Sequence, residues 1–384
     1  MTLLLRVLPL LVLIVQGCAS VQKADPLPSD LSADKSGRTV DSWNNLSDSE
    51  IQGRVLRLLP PGVDQPRSWA EDLQSVYQAL GIPSAASTYC ATIAVVQQES
   101  SFNAQPVVPG LSKIVRAELN ERASRFLIPQ TLLNKALART SPTGHTYNQR
   151  IDALRTEKQL NDLFQDLLSE LPFGRSWLED FIPVRTGGPM QVSVAFAQDH
   201  ADENDYPYPV LGSIRDEVFS QRGGLYFGSA ILLDYPVAYT KPVYRFADFN
   251  AGRYASRNVA FQAALNLLTK QKLALDGDLL IYKGKRPSLT ASQVEMSVRE
   301  LAVELGLTEK EIRDDLLLEK SAEFSDSKLY NRLFRLAEVK TGRVLPREQL
   351  PVIQLKSPKI TRKLSTAWFA NRVETRYNDC MARR

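Results

Sequence analysis

The chain has 384 residues, 43% hydrophobic and 23% charged, with a formal net charge of +4 from 47 Lys and Arg against 43 Asp and Glu. That composition excludes a disordered or generally membrane-spanning chain, and the length suits one large domain or two ordinary ones. The near-balanced charge argues against a nucleic-acid partner and leaves anionic cell-wall polymers and lipid head groups open.

In chain order, Met1 to Gly17 carries one base, Arg6, then an apolar stretch from Val7 to Val15. The stretch is too short to span a bilayer and reads as a secretory signal peptide, residues 1–17. Its ending, Val15-Gln16-Gly17-Cys18, resembles a bacterial lipobox. That resemblance implies cleavage before Cys18 and lipidation there; the alternative is an ordinary signal peptide with a chance cysteine. Ala19 and Ser20 follow with no Asp, which by the same resemblance implies sorting to the outer membrane. An anchor of several acyl chains is far more durable than one.

Residues 18–66 read as a lipidated Cys and tether, rich in Ser, Asp, Pro and Gly, although Ile51 to Leu59 has an apolar pattern that can dock. Ser68-Trp69-Ala70-Glu71 matches a capping box, and Trp69, Leu73, Val76, Tyr77 and Leu80 follow at helical spacing until Gly81 and Pro83. Lys113 to Leu171 and Gln293 to Thr341 also carry apolar residues at three- and four-residue steps, with a second capping box at Thr308-Glu309-Lys310-Glu311. Short strands are predicted near Leu279–Lys283 and Val352–Leu355. The fold class is therefore mostly α with a few short strands. Residues 67–275 are expected to form one helical domain with an insertion at about 111–180, and 276–384 a helical extension packed on it. Gln293 to Leu317 superficially looks like a helix-turn-helix, but with an export signal two packed helices is the better reading.

Three segments carry chemistry. The first is the apolar run Thr88 to Val96, ending Gln97-Gln98-Glu99-Ser100-Ser101-Phe102-Asn103. Ile93, Val96 and Ser100 share a helical face and Glu99 lies beside it, where burial would raise a carboxyl pKa toward that of a general acid. Alone, a solvated Glu at a helix end explains it as well. The second segment is Arg185-Thr186-Gly187-Gly188-Pro189-Met190-Gln191-Val192, in which paired glycines let backbone approach a ligand, Met190 offers apolar lining and Gln191 an amide. The third is Phe246-Ala247-Asp248-Phe249-Asn250-Ala251-Gly252-Arg253, suited to a sugar-binding wall or to a plain helix stop.

The order Glu-Ser-x-Phe, Gly-x-Met-Gln and aromatic-Asn-Ala-Gly is similar to soluble-type lytic transglycosylases of the lysozyme-like fold. Gly228-Ser229-Ala230-Ile231-Leu232-Leu233-Asp234-Tyr235 resembles that family's Gly-x-x-Tyr-Leu helix. The resemblance covers roughly residues 85–105 and 185–265. It implies a lysozyme-like helical domain with a long helical insertion and a helical C-terminal extension. It also implies a catalytic Glu99 and substrate-binding Ser100, Met190, Gln191, Phe249 and Asn250. The implied substrate is the MurNAc–GlcNAc bond of peptidoglycan, cleaved to a 1,6-anhydro product with no cofactor or metal. Three departures stand out: the family's Gly-Leu-Met-Gln is Gly188-Pro189-Met190-Gln191 here, Phe249 occupies the family's Tyr position, and the span from Glu99 to Gly187 is long. Tyr226, Tyr244 or Tyr254 can replace the missing hydroxyl. The alternative function is a non-catalytic lysozyme-fold envelope lipoprotein that binds glycan, peptide or a membrane partner. The whole chain also resembles the YaiW-type outer-membrane lipoproteins, a group defined around a domain of unknown function, which implies location more than chemistry.

Beyond Cys18, two cysteines remain. In an oxidising periplasm Cys90 and Cys380 invite a disulfide, or are two buried thiols. His145 and His200 have no metal-ligand spacing with each other. Asp248 is a weak candidate for a second carboxylate, because neighbours on a helix point about 100° apart. The expected partners are peptidoglycan glycan strands, the membrane through the lipid anchor, and an envelope protein, with no nucleic acid.

Overall fold

The computed structural model describes Leu31 and residues 42–43, 45–170, 184–210, 212–269, 271–355 and 364–384. The leader, Cys18 and much of the expected tether lie outside the described residues. Within them the fold is mostly helical, with three two-stranded antiparallel ribbons.

Helix α1 (Asp48–Leu58) falls in the stretch expected to be tether. A complete capping box between Ser47 and Glu50 starts it, and Ile51, Val55 and Leu58 bury one face. Those two features together fold a segment whose composition reads as linker. Helix α2 (Pro66–Leu80) begins two residues before the expected cap at Ser68, because Pro66 takes the first helical turn with φ already set. Gly81, left-handed, ends it. Helix α3 (Ala86–Glu99) is buried from Ala86 through Val96. The Tyr77 hydroxyl ties it to α2 by donating to the Thr88 carbonyl at 2.6 Å.

Four helices follow: α4 (Leu111–Arg125), α5 (Gln130–Leu137), α6 (Tyr147–Asp152) and α7 (Glu157–Ser169). They close around their own apolar core, centred on Val115, Tyr147, Ile151, Leu160 and Leu163. The chain returns through β1 (Thr186–Gly187) and β2 (Val192–Ser193), paired Thr186 to Ser193 and Gly187 to Val192. Then come α8 (Val194–Glu203), α9 (Ile214–Val218), α10 (Gln221–Leu233), α11 (Pro242–Ala251) and α12 (Ala255–Leu268).

The ribbon β3 (Tyr282–Lys283) with β4 (Arg286–Pro287) lies within the first predicted strand region and just beyond it. Helices α13 (Gln293–Glu300), α14 (Ala302–Leu305), α15 (Glu309–Leu316) and α16 (Lys328–Thr341) pack with α12 around Phe261, Val298, Ile312, Phe324 and Leu333. The expected Thr308–Glu311 capping box is formed, and left-handed Gly306 makes the turn before it. Finally β5 (Gln354–Leu355) pairs with β6 (Leu364–Ser365), and α17 (Thr366–Met381) follows.

The last helix leaves the core of residues 260–345 and joins the first, largest one. Phe369, Ala370, Val373 and Tyr377 pack there with α1, α2, α3, α10 and α11. A disulfide joins Cys90 in α3 to Cys380 in α17, with Cα atoms 5.5 Å apart and both side chains buried.

Candidate functional site

Glu99 is the last residue of α3 and is half-buried. Eleven buried residues precede Gln97, so packing fixes where the helix ends. Beyond it the chain turns through Ser101 and Phe102, at φ 51° and 62°. Left-handed backbone is unusual for a bulky residue such as Phe and marks a turn imposed by its surroundings. Phe102 meets Trp69 of α2 edge-on at 5.1 Å, which holds the turn in place. Ser100 is buried and its hydroxyl donates to the Val96 carbonyl at 3.0 Å, so it serves its own helix. Gln97 and Gln98 each carry a buried amide oxygen with no hydrogen-bond partner among the described residues.

The second motif is the tip of the β1–β2 hairpin, and it sits on α10. A side chain at Gly224 would meet Pro189, and one at Gly228 would meet Met190, both closer than 3.0 Å. Two glycines four apart on α10 thus form the seat into which the hairpin fits. Met190, expected as a groove wall, is instead fully buried at 0% exposure, because the missing side chain of Gly228 draws its sulfur inward. Gln191 follows at φ 52° and stays half-buried. Its amide nitrogen donates to Glu157 Oε2 at 3.0 Å and to the Gly188 carbonyl at 3.3 Å. Glu157 is the first residue of α7, so the α4–α7 segment supplies a buried carboxylate that fixes Gln191.

Helix α10 also connects the hairpin to the Glu99 end of α3. Arg222, in its first turn, pairs with Asp72 of α2 at 2.6 Å, and Asp72 lies one turn from Trp69. In the middle of the helices, Thr92 and Ser229 hydroxyls are 3.4 Å apart. Hence α3 and α10 run antiparallel, with the C-terminus of α3 toward the N-terminal half of α10, where the hairpin sits. An aromatic cluster borders the same half: Tyr206, Tyr208, Tyr226 and Phe227 meet at 5.1–5.9 Å between ring centres. Arg222 lies 5.3 Å over Tyr208. Tyr206 and Tyr208 are only half-buried.

The third motif ends α11. Phe249 is half-buried, while Asn250 is exposed and accepts a hydrogen bond from the Thr366 hydroxyl at 2.9 Å. Thr366 opens α17, which lies along α3 and is bridged to the N-terminal half of α3 at its far end. These two helices are therefore antiparallel as well, and Asn250 lies toward the end of α3 that carries Glu99. A cleft of about 590 Å³ lies at the start of α17, lined by Tyr244, Glu348, Leu350, Ser365 and Ala367 and by none of Glu99, Gln191, Phe249 or Asn250. That volume is within the ordinary range for ligand sites.

Asp248 is a structural residue. It is buried, and its carboxylate accepts from the Tyr235 and Tyr239 hydroxyls and from the backbone N–H groups of Tyr254 and Ser256. Burial nevertheless raises its pKa to about 6 against the opposing hydrogen bonds. Arg253 donates to the Ala230 and Ile231 carbonyls at the end of α10. Arg257 donates to the Glu319 and Ser321 carbonyls, tying α12 to the loop after α15. Of the alternatives to the missing tyrosine, Tyr226 and Tyr254 are buried and Tyr244 lines the cleft. His200 is buried among Phe196, Tyr226 and Phe227, and burial lowers its pKa. Among the described residues, no group of three His, Cys, Asp or Glu side chains could hold a metal ion, and no helix is long and apolar enough to cross a membrane.

The sequence motifs missed two features of this region. Glu157 carries no local signal, since its partner lies 34 residues away. The Tyr206-Pro207-Tyr208-Pro209 run was a usable signal, because alternating aromatic and Pro residues favour an extended segment with exposed rings.

Comparison with known proteins bears on this site only through its family. The family model described as a protein of unknown function (DUF1615) matches residues 62–383. The chain is 46% identical over 372 residues to "Uncharacterized protein YaiW" of Escherichia coli (strain K12), covering 97% of this chain and 96% of that protein. No solved structure matches. A family match that spans α2 through α17, together with near-full-length similarity, makes this chain a member of the DUF1615 family.

Proposed function

We propose that this protein engages peptidoglycan glycan strands and cleaves them as a lytic transglycosylase, with Glu99 as both acid and base. The observation that carries the reading is the common direction of the three motifs, toward the C-terminal end of α3. Glu99 closes a buried helix, the Gln191 hairpin is seated on the adjoining helix, and Asn250 lies toward the same end of α3. Carboxyl, amide and aromatic groups in that arrangement suit a sugar polymer. In the proposed reaction the Glu99 carboxyl gives its proton to the glycosidic oxygen between N-acetylmuramic acid and N-acetylglucosamine, and the C1–O bond breaks. The substrate's acetamido group stabilises the positive charge developing at C1. The Glu99 carboxylate then takes the proton of the 6-hydroxyl, and O6 closes on C1 as the 1,6-anhydro ring. No second carboxylate is required, consistent with the structural employment of Asp248. Gln191, held by Glu157, orients a sugar, and the half-buried faces of Phe249 and Tyr208 offer stacking.

The buried Met190 and the Asn250–Thr366 hydrogen bond favour a second reading, in which the same surface binds glycan or peptide without cleaving it. In either case we place the protein in the cell envelope, on the outer membrane through a lipid on Cys18. The test is incubation of the protein with purified peptidoglycan and mass spectrometry of the soluble products. Anhydro-muropeptides are expected. Retention on insoluble peptidoglycan with no released product would support the binding reading, and neither retention nor product would reject both.

A further inference from the structure

A second cleft, of about 520 Å³, opens beside the core of residues 260–345, whereas α3 packs in the first core. Its walls come from the loop Leu273 to Tyr282, the start of α13, and Lys320 after α15. A buried amide sets its acids. Gln262 of α12 is 1% exposed and commits its side chain to the turn 276–278. Its nitrogen donates to Asp276 Oδ1 at 2.8 Å and to the Asp278 carbonyl at 3.0 Å, and its oxygen accepts from the Gly277 N–H at 2.9 Å. The Asp278 N–H donates to the same Asp276 Oδ1 at 3.1 Å. Gly277 holds the turn at φ 90°, where a side chain would meet Ala255. None of these bonds uses Asp276 Oδ2 or the carboxylate of Asp278, which is exposed. Desolvation in the cleft and the neighbouring Asp276 raise the Asp278 carboxyl above its ordinary range, against the pull of Lys320.

The floor supplies a third carboxyl. Glu319 is 1% exposed, and its Oε2 accepts from the N–H groups of Leu279 and Leu280. Its neighbours Leu280, Tyr282 and Lys320 all line the cleft. Burial and then the Glu319 carboxyl push the Tyr282 phenol up, so the two groups are close. Glu319 Oε1 is nevertheless buried with no hydrogen-bond partner of regular geometry among the described residues. A buried acceptor left open in this way calls for an explanation. A cation borders the same cleft. The ammonium of Lys320, an exposed residue, rests 3.5 Å from the centre of the Tyr282 ring rather than on an acid. The first turn of α13 adds positive character. Ser292 caps it by accepting from the Glu295 N–H, which leaves the N–H groups of Gln293 and Val294 without an acceptor inside the helix.

We propose that this cleft binds an amino-acid zwitterion, an ammonium and a carboxylate on one carbon, either free or at the end of a diamino-acid side chain in a peptide. An ammonium has three N–H bonds to give, and Asp276, Asp278 and Glu319 offer acceptors for them. Lys320 and the first turn of α13 suit the carboxylate. Leu273, Ile281 and Val294 give an aliphatic chain an apolar wall, and the volume is that of a small-molecule site. These residues belong to other elements than Glu99, Gln191 and Asn250, so the site is independent of the catalytic reading.

The test is calorimetric titration of the full chain, purified in detergent, with two probes. One is racemic leucine, and the other is the tripeptide alanyl-glutamyl-diaminopimelate, whose side chain ends in a zwitterionic carbon. Leucinamide lacks the carboxylate and 4-methylpentanoate lacks the ammonium, and both serve as controls for leucine. Asp278→Asn and Lys320→Met, both at exposed positions, should each weaken the bound probe at least about tenfold, with unfolding temperatures close to that of the wild type. Leucine bound more tightly than its two analogues would mark a free amino acid as the ligand. Binding of the tripeptide alone would mark a peptide-borne one. No binding of either probe would overturn the proposal. So would binding undiminished by both substitutions, or leucine bound no better than its analogues.

Discussion

Asp248 lies one residue before Phe249 in the third motif, yet its carboxylate is committed to the fold. Four donors from Tyr235, Tyr239, Tyr254 and Ser256 converge on it, and the last two are at the start of α12. Removing the charge while keeping the shape leaves some of those donors without an acceptor. Asp248→Asn should therefore lower stability by about 1–3 kcal/mol at neutral pH, measured by denaturant unfolding. The pH dependence has a defined sign. The folded pKa is raised from 3.8 to about 6, so the native state binds the proton more tightly than the unfolded chain. That contribution is fully present below the unfolded value and is lost as pH rises through about 6. The shift limits it to about 3 kcal/mol. The difference in stability between the wild type and Asp248→Asn should accordingly change between pH 4 and pH 7, and a constant difference would contradict this account. Sequence alone allowed Asp248 as a weak second carboxylate. What it could not supply was the pair of tyrosine hydroxyls nine and thirteen positions earlier that occupy it.

The seating of the β1–β2 hairpin on α10 depends on absent atoms. At Gly228 a side chain would collide with the Met190 sulfur and Cβ, and at Gly224 with the Pro189 ring. Gly228→Val should cost about 1–3 kcal/mol from overpacking and displace Gln191 with the hairpin. Gly53→Ala, in the exposed-to-intermediate part of α1 with nothing within 4 Å, should be neutral or slightly stabilising by comparison. Thermal unfolding of the two variants checks both. Individual elements were legible to differing degrees. Helical spacing located α2 and marked residues 113–171 and 293–341 as helical without dividing them into their separate helices, and the Thr308 cap was read correctly because all its partners are within four residues. The Ser68 cap failed because a proline two residues earlier competes for the helix start. Helix α1 was hidden in a linker-like composition, where Pro60, Pro61 and Pro66 outweigh a short apolar face in any compositional reading.

The whole molecule is tied together by its last helix. Chain from α3 to α17 includes two further apolar cores, and the Cys90–Cys380 bridge closes a loop of 290 residues. Long loops gain most from closure in the chain-entropy description, so Cys90→Ser with Cys380→Ser should lower unfolding stability by about 2–5 kcal/mol. Unchanged stability would mean that the reduced chain is already held by packing on α1 and α11. The cysteine pair was visible in the sequence, but bridge and buried thiols could not be told apart without the Cα separation. The same limit applies to the candidate site. Motif order pointed to Glu99, Gln191 and Asn250, whereas the Glu157 carboxylate and the antiparallel packing of α3, α10 and α17 arise only from tertiary contacts. The most direct test of the central claim compares the wild type with Glu99→Gln on purified peptidoglycan. Glu99→Gln should bind the polymer as the wild type does and release anhydro-muropeptides at least about 10²-fold more slowly. Equal release by the two proteins would contradict the assignment of Glu99 as the acid and base.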